Sequence, residues 1–200
     1  MVMRYRDQDF FLLGLALDAF LKTVRGADAD LWGMLTEEVF APIGIFQAPA
    51  VRTREPDGRD GPVWANAGYY PTLDDLAKIA ALYQRLGEHR GTQLLHRELT
   101  ANLLAAKNAL NKRADASMGV PPALQSDGEP DLYLMGFHFT PYIGGASGQR
   151  SLIPTMSGSG DNQVMLLPNG SISLQLAKAA ELPAGEQARS DDAAASLRAL

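Results

Sequence analysis

The segment Gln163–Leu176, with the sequence QVMLLPNGSISLQL, decides the fold class of this 200-residue chain. Within it, Asn169-Gly170 stands between an apolar run that ends at Leu167 and an alternating apolar pattern that starts at Ile172. An Asn-Gly pair between two such runs is a strong local signal for a β-hairpin. The segment therefore predicts antiparallel strands in this part of the chain.

Two further runs upstream of this hairpin also predict strands. They cover Leu132–Thr140 and Arg150–Thr155, and Gly, Pro, Ser or Asn residues bound each of them. Residues 131–200 are therefore predicted to form antiparallel strands. The Ala-rich end, Gly185–Leu200, is predicted to be either a closing helix or a frayed tail.

Residues 1–130 are predicted to form a mainly helical subdomain. Apolar residues spaced three and four apart predict four helices: Asp9–Arg25, a second from an Asp30 N-cap to just before Pro42, a third after a Thr72 capping box that ends before Gly87, and a fourth from about His96. Residues 46–71 are rich in Pro and Gly and are predicted to be an irregular crossing. The expected fold class is α+β.

The composition limits the classes of function. A hydrophobic share of 46% with 20% charged residues argues against intrinsic disorder. The absence of Cys excludes disulfides, thiolate metal sites and a cysteine nucleophile. A net charge of -5 with scattered basic residues disfavours nucleic acid as a partner. The run Phe10–Leu17 is too short for a membrane span, and the sequence shows no signal peptide.

Acyl transfer requires a nucleophile, a base and an oxyanion site, and the sequence lacks the usual nucleophile motifs. It contains no Ser-x-x-Lys pair and no Gly-x-Ser-x-Gly elbow. Its three histidines, His89, His96 and His138, do not have metal-ligand spacing, and the first two are predicted to be solvated residues at helix ends. We expect neither a metal ion nor a cofactor.

Two short constellations could carry chemistry. Tyr5-Arg6-Asp7 precedes the first helix, where a tyrosine beside a cation can shuttle a proton and an aspartate can orient donors. The alternative is a helix-capping Asp7 beside a packed aromatic ring. Met156-Ser157-Gly158, followed by Ser159, ends a predicted strand, where glycine lets a ligand approach the backbone and serine can bind a carbonyl or carboxylate. The alternative is a flexible turn over Ser157–Gly160.

The order of several weak motifs along the chain is more specific than any one of them. Tyr-x-Asp precedes a Leu-Leu-Gly helix, and Glu38–Ile45, Gly68–Ala77 and the Ser-Gly strand follow. This order, over about residues 4–180, resembles the serine β-lactamase-like family of class C β-lactamases, D-amino-acid peptidases and related esterases. The resemblance implies a β-lactamase/transpeptidase-like fold and a serine hydrolase that acts through an acyl-enzyme.

The resemblance also implies roles for individual residues. Tyr5 matches the proton-exchanging tyrosine of the family's Tyr-x-Asn motif, although Asp7 replaces the asparagine and opposes ionisation of the phenol. Ser157 matches the threonine hydroxyl of the family's Lys-Thr-Gly strand, with Gly158 as the close backbone contact and Ser159 beside it. Met156 cannot replace the lysine cation, which favours an uncharged ester or amide over an anionic β-lactam.

In the family, the Ser-x-x-Lys nucleophile precedes the tyrosine motif. The resemblance therefore implies a fold that is incomplete at its N-terminus, a chain without turnover of its own, and a missing N-terminal segment as partner. The expected substrate is a small ester, amide or peptide. The sheet is expected to expose apolar surface at one edge or face. Relatives of this kind are often periplasmic, but the sequence leaves the compartment open.

Two other interpretations remain. The chain could be a non-catalytic binding module that keeps the hydrolase fold, and the departures at Asp7 and Met156 favour this. It could also be an unrelated α+β domain whose Ser157–Gly160 loop holds a phosphate. The absence of a nearby Lys or a following helix argues against the phosphate loop.

Overall fold

The computed structural model describes residues 3–4, 7–106, 110–113, 132–143, 150–158 and 162–176. It contains both helices and antiparallel sheets, which confirms the α+β class at this coarse level. The chain divides into two compact units, one of Arg4–Arg97 and one of Met1–Met3 with Glu98–Leu200. The predicted closing helix or tail, Gly185–Leu200, lies outside the described residues.

The elements follow one another along the chain. In order they are β1 (Met3–Arg4), α1 (Asp7–Arg25), α2 (Leu31–Leu35), a π-helical segment (Thr36–Phe40), β2 (Arg52–Arg54), β3 (Asp60–Val63), α3 (Leu73–Gln84), β4 (Glu88–His89), β5 (Thr92–Gln93), α4 (Arg97–Leu104), β6 (Leu110–Arg113), β7 (Leu132–Leu134), β8 (Phe137–Ile143), β9 (Arg150–Gly158), β10 (Asn162–Leu166) and β11 (Ile172–Gln175). All four predicted helices are confirmed. His89 is not at a helix end, because it lies in β4.

Helix α1 starts two residues before its predicted start and ends at Arg25 as predicted. Gly26 follows with φ of 103°, a left-handed conformation that glycine adopts without strain and that stops the helix. Inside the helix, a side chain at Gly14 would collide with the Cβ of Ala65. Glycine therefore lets the loop around Ala65 approach this face of α1 closely.

A buried carboxylate ties α1 to α2. Asp18 is 3% exposed, and its Oδ1 accepts a hydrogen bond of 3.0 Å from the backbone N–H of Leu31. Its Oδ2 pairs with Lys22 Nζ at 2.7 Å, one helical turn further along α1. Burying a carboxylate is costly unless its oxygens are satisfied, and here both have partners.

Asp30 is the N-cap of α2, as predicted. Its Oδ1 accepts hydrogen bonds from the backbone N–H groups of Trp32 and Gly33, and Arg52 Nη2 lies 3.0 Å away. Burial alone would raise the pKa of Asp30, but the hydrogen bonds from Gly33, Arg52 and Trp32 outweigh it. The pKa is therefore below the ordinary value of 3.8.

Removing the Asp30 cap should destabilise the Arg4–Arg97 unit. We expect Asp30→Ala to lower the free energy of unfolding by about 1–2 kcal/mol, and Asp30→Asn, which keeps a capping oxygen, to lower it by less. Because the folded pKa is depressed, the advantage of the ionised aspartate over asparagine is present above pH 3.8 and is lost as pH falls through the folded pKa. Urea unfolding at several pH values measures this, and an Asp–Asn difference that grows on acidification would contradict it.

Helix α3 starts with the predicted capping box. The backbone N–H of Asp75 donates to Thr72 Oγ1 at 3.1 Å, and the backbone N–H of Thr72 donates to Asp75 Oδ2 at 2.9 Å. The helix packs Leu82 against a buried cluster with Phe40, Ile43 and Ile45. This apolar cluster is the core of the Arg4–Arg97 unit on the side of α3 and the π-helical segment.

Residues 46–71 are not wholly irregular, so this prediction was wrong in part. They contain the hairpin β2–β3, whose turn has the sequence Glu55-Pro56-Asp57-Gly58-Arg59. The N–H of Gly58 donates to the carbonyl of Glu55 at 2.9 Å, and the N–H of Glu55 donates to the carbonyl of Arg59 at 2.9 Å. Pro56 and Gly58, two of the residues that suggested a loop, form this turn.

The larger sheet has the order β1-β6-β7-β8-β9-β10-β11, and its pairings from β6 to β11 are antiparallel. The predicted single strand Leu132–Thr140 is two strands, because Met135 and Gly136 form a tight turn with φ of 48° and 90°. These values match a type I′ hairpin, which needs positive φ at both central residues. The run therefore folds back on itself as β7 and β8.

The predicted Asn169-Gly170 hairpin is confirmed. The N–H of Gly170 donates to the carbonyl of Leu167 at 3.0 Å, and the N–H of Leu167 donates to the carbonyl of Ser171 at 2.9 Å. Gly170 has φ of 83°, so the connection is a type I turn followed by a left-handed glycine. The hairpin joins β10 to β11.

One face of the sheet is apolar and largely buried. Residues paired across antiparallel strands point to the same face. The pairs Phe137–Met156, Met156–Val164 and Leu166–Ile172 place apolar side chains there, together with Phe139. Phe137, Phe139, Val164 and Leu166 are each 1–3% exposed. Leu152, which the period of the strand places on the same face, is 37% exposed.

Candidate functional site

The Ser-Gly constellation lies at the end of β9. The strand continues three residues beyond the predicted Thr155 and ends at Gly158. Ser157 and Gly158 are exposed, while Met156 is half-buried. Ser159 lies outside the described residues. The predicted position of this constellation at the end of a strand is therefore confirmed for Met156, Ser157 and Gly158.

Strand β9 extends beyond its pairing with β8. The last β8 partner is Phe137, which pairs with Met156. On the other side, Ser157 pairs with Gln163 and Gly158 with Asn162 in β10. Among the described residues, no strand pairs with Ser157 or Gly158 on the β8 side. The end of β9 therefore presents a short open edge on that side.

The hydrogen-bonding alternation shows which backbone groups face this edge. The bond from the Leu167 N–H to the Ser171 carbonyl directs the backbone polar groups of Leu167 toward β11. In an antiparallel ladder, successive residues face alternate neighbours. Counting back from Leu167, Gly158 directs its N–H and C=O toward β10, and Ser157 directs its own toward β8. The open edge thus presents the backbone donor and acceptor of Ser157.

Polar side chains form a row beside this edge. Ser157 pairs with Gln163, and Gln163 pairs with Gln175, so their side chains point to one face across three strands. The sequence analysis did not single out either glutamine. Because side chains alternate along a strand, Gln163 and Gln175 lie on the face of the sheet opposite the apolar side chains. Their alignment with Ser157 depends on the register between the strands.

His138 belongs to the next row on the same face. It pairs with Thr155, two residues before Ser157, and with Tyr133 in β7. The rings of His138 and Tyr133 meet edge to face, with centroids 5.1 Å apart. The Thr155 hydroxyl, which is buried, donates to the carbonyl of Ile153 at 3.3 Å. His138, Tyr133 and Thr155 therefore lie on the same face of the sheet as Ser157.

Met156 and Gly158 differ in what the fold requires of them. Met156 is half-buried on the apolar face, where it pairs with Phe137 and Val164. A Cβ at Gly158 would meet only the Cβ of Asn162, at an ordinary 3.6 Å. Local packing therefore does not require glycine at position 158.

The N-terminal constellation is described only in part. Tyr5 lies outside the described residues, so its predicted role in proton exchange stays a prediction. Asp7 is the first residue of α1 rather than a residue before the helix. The predicted orienting role of Asp7 and its helix-capping alternative both stay predictions.

A different tyrosine is half-buried in the Arg4–Arg97 unit. The ring of Tyr69 stacks on Phe40 at 5.7 Å and meets Trp32 edge to face at 5.4 Å. Its hydroxyl is buried and has no hydrogen-bond partner within the described structure. Burial, followed by the charge of Asp75, raises the pKa of Tyr69 to about 12. Tyr69 is therefore a neutral packing residue near pH 7.

The described part of the chain contains no group of three or more His, Asp or Glu side chains that could hold a metal ion. No helix in the same residues has the length and apolar character needed to cross a bilayer. Comparison of the chain with protein-family models, curated proteins and solved structures found no match.

Proposed function

We propose that this chain is part of a serine hydrolase related to the β-lactamases and penicillin-binding proteins, acting through an acyl-enzyme on an ester, amide or peptide bond. The 200 residues contain no Ser-x-x-Lys motif. The nucleophile therefore belongs to polypeptide outside them, and the 200-residue chain is inactive alone. The proposed fold is an incomplete β-lactamase/transpeptidase-like fold.

One observation carries this proposal. Strand β9 ends in Ser157-Gly158, and none of the described strands pairs with its backbone on the β8 side at that point. An extended substrate can hydrogen-bond to such an edge as an additional strand would. The family that the motif order resembles has its substrate-contacting strand at the corresponding place in the order of motifs, and this supports the proposal.

Each site residue has a role in this proposal. The Ser157 N–H, C=O and hydroxyl bind the substrate, and Gly158 leaves room for it to approach the backbone. Tyr5 exchanges a proton with the nucleophile and leaving group, and Asp7 orients it. Met156 supplies no positive charge. We therefore propose an uncharged substrate, because a carboxylate would lack a charge-assisted partner at this position.

Hydrolysis of a chromogenic ester such as p-nitrophenyl acetate tests the proposal. We expect no turnover above background with the 200-residue chain, and turnover with a version extended by the coding sequence that precedes Met1. In the extended protein, Gly158→Val should lower kcat/KM at least tenfold, because a branched side chain fills the approach to the edge. The matched control, Ser173→Ala in β11, should leave kcat/KM unchanged. Equal turnover by both lengths of chain would overturn the assignment.

The packing of Met156 favours a second candidate, a non-catalytic binding module. Met156 pairs with Phe137 and Val164 on the apolar face, so this position offers no cation to a substrate. In this case the open edge of β9 binds an extended peptide without cleaving it. A parent sequence without Ser-x-x-Lys, together with peptide binding that Gly158→Val abolishes, would favour the module over the hydrolase.

A further inference from the structure

The turn between β10 and β11 contains the only Asn-Gly pair of the sequence, Asn169-Gly170. Asparagine is among the thermally labile residues, because the backbone nitrogen of the next residue can attack its side-chain carbonyl. A following glycine favours this attack, since it has no side chain to obstruct the approach. Asn169 and Gly170 are both exposed, so water reaches them. The turn therefore contains the groups that deamidation needs.

Deamidation at this pair needs water and no other reactant. The Gly170 nitrogen loses its proton and forms a bond to Asn169 Cγ. The bond from Cγ to the side-chain nitrogen breaks, and that nitrogen leaves with the proton as ammonia. Water then opens the succinimide ring at one of its two carbonyls. The product is aspartate or isoaspartate at position 169, and either one adds a negative charge to the turn near pH 7.

Two hydrogen bonds of the closed turn hold the groups that must react. The N–H of Gly170 donates to the carbonyl of Leu167 at 3.0 Å, and this bond disfavours loss of the amide proton. The N–H of Ser171 donates to Asn169 Oδ1 at 2.9 Å, which holds the asparagine side chain in an Asx turn. Closing the succinimide ring therefore requires the hairpin to release both groups.

The position of β11 favours local opening of this hairpin. β11 lies at one end of the strand order, and among the described strands it pairs only with β10. All four of its residues are half-buried, whereas Val164 and Leu166 of β10 are each 3% exposed. Edge elements with few buried contacts open at a lower free energy than core strands. Opening of β11 alone therefore frees Asn169 while the rest of the sheet stays folded.

We propose that Asn169 is a self-modification site controlled by the β10–β11 hairpin: the closed turn protects it, and opening of β11 exposes it to deamidation. The extent of conversion then records how often the hairpin has opened. This inference does not depend on the proposed hydrolase activity.

The turn between β2 and β3 has the same hydrogen bonds but a different side chain. The Gly58 N–H donates to the carbonyl of Glu55 at 2.9 Å, and the Arg59 N–H donates to Asp57 Oδ1 at 3.1 Å. Hydrogen bonds from the backbone and side chain of Arg59 hold the pKa of Asp57 below its ordinary value of 3.8. An ionised carboxylate is a poor electrophile, so the same turn geometry at Asp57 lacks the reactive amide.

Peptide mass spectrometry of the full chain during incubation at mildly alkaline pH tests the site and its protection. We expect Asn169 to convert first among the six asparagines. Its conversion should be at least about tenfold slower in the folded chain than in the same chain unfolded in guanidinium chloride, because folding restricts opening of the hairpin. Equal rates in the two states, or an unfolded chain that converts other asparagines before Asn169, would overturn the proposal.

Leu166→Ala distinguishes opening of the hairpin from reaction inside the closed turn. Leu166 pairs with Ile172 of β11 and is 3% exposed, so its truncation loosens the hairpin without changing a residue of the turn. We expect deamidation of Asn169 and hydrogen exchange of the Gly170 amide to accelerate by the same factor, on the order of tenfold.

The matched control for Leu166→Ala is Ser173→Ala in β11, which should leave both rates unchanged. Faster exchange of the Gly170 amide without faster deamidation would show that the closed turn itself reacts, and would overturn the proposal. The comparison of folded and unfolded wild-type chain does not depend on the folding of either variant.

Discussion

Phe139→Ala is expected to lower the free energy of unfolding of the sheet-containing unit by about 3–5 kcal/mol, which is the usual cost of removing a fully buried ring. Phe139 is 1% exposed in β8, and its strand partners are Leu132 and Pro154. The substitution leaves a cavity in the apolar face that also contains Phe137 and Val164. This cost is a large part of the total stability of a small unit.

Amide hydrogen exchange of β8 and β9 measures the loss of stability in the sheet-containing unit itself. Tryptophan fluorescence would not, because both tryptophans, Trp32 and Trp64, lie in the Arg4–Arg97 unit. The matched control is Leu152→Ala, an apolar truncation in β9 at a site that is 37% exposed, which should cost about 1 kcal/mol or less. Equal protection of the sheet amides in both variants would contradict the buried position of Phe139.

Gly68→Ala is the second substitution with a large expected effect, and we expect it to cost about 2–4 kcal/mol. Gly68 has φ of 85°, and the left-handed region penalises any residue with a Cβ by about 1–2 kcal/mol. The added Cβ would also lie 2.6 Å from the Cβ of Val51, so the backbone must move. The bond from the Val51 N–H to the Gly68 carbonyl would be strained in the same shift.

Gly170→Ala provides the matched control for Gly68→Ala. Gly170 has a similar φ of 83°, but nothing lies within 4 Å of a Cβ built there, so only the conformational penalty applies. Urea unfolding followed by tryptophan fluorescence suits Gly68, and far-UV circular dichroism suits Gly170. If the two substitutions cost the same, the contact with Val51 contributes nothing and the packing argument fails.

Two hairpins show how much a local pattern can predict. Glu55-Pro56-Asp57-Gly58-Arg59 and Leu167-Pro168-Asn169-Gly170-Ser171 form the same turn, including a bond from the last N–H to the Asp57 or Asn169 side chain. The second was predicted because clear apolar runs flank it. The first was missed because short, charged strands flank it, although Pro-Asp-Gly is an equally good turn signal.

The turn between β7 and β8 could not be predicted from a local sequence pattern. Met135 adopts φ of 48°, which side chains with a Cβ rarely do, and Gly136 is the only local sign of a turn. Pairing with β9 favours this turn over a continuous strand, because it brings Phe137 and Phe139 onto the apolar face. Contacts between residues far apart in sequence therefore determine where the turn forms, and a local sequence pattern does not show these contacts.

The candidate site was predictable in a similar, partial way. The position of Ser157 and Gly158 at the end of a strand follows from local apolar runs and glycine. The open edge depends on where β8 starts, and the row with Gln163 and Gln175 depends on the register of three strands. A shift of one residue would move every side chain to the opposite face, so the site emerges only from the assembled sheet.

The most direct test of the central claim is to locate the acylated serine. A fluorophosphonate probe reacts covalently with an activated serine, and peptide mass spectrometry identifies the residue that carries it. In the protein extended upstream of Met1, we expect a single label on the serine of a Ser-x-x-Lys motif outside these 200 residues, and none on Ser157. A label on a serine within the 200 residues, or no label on an extended protein that is folded, would contradict the account.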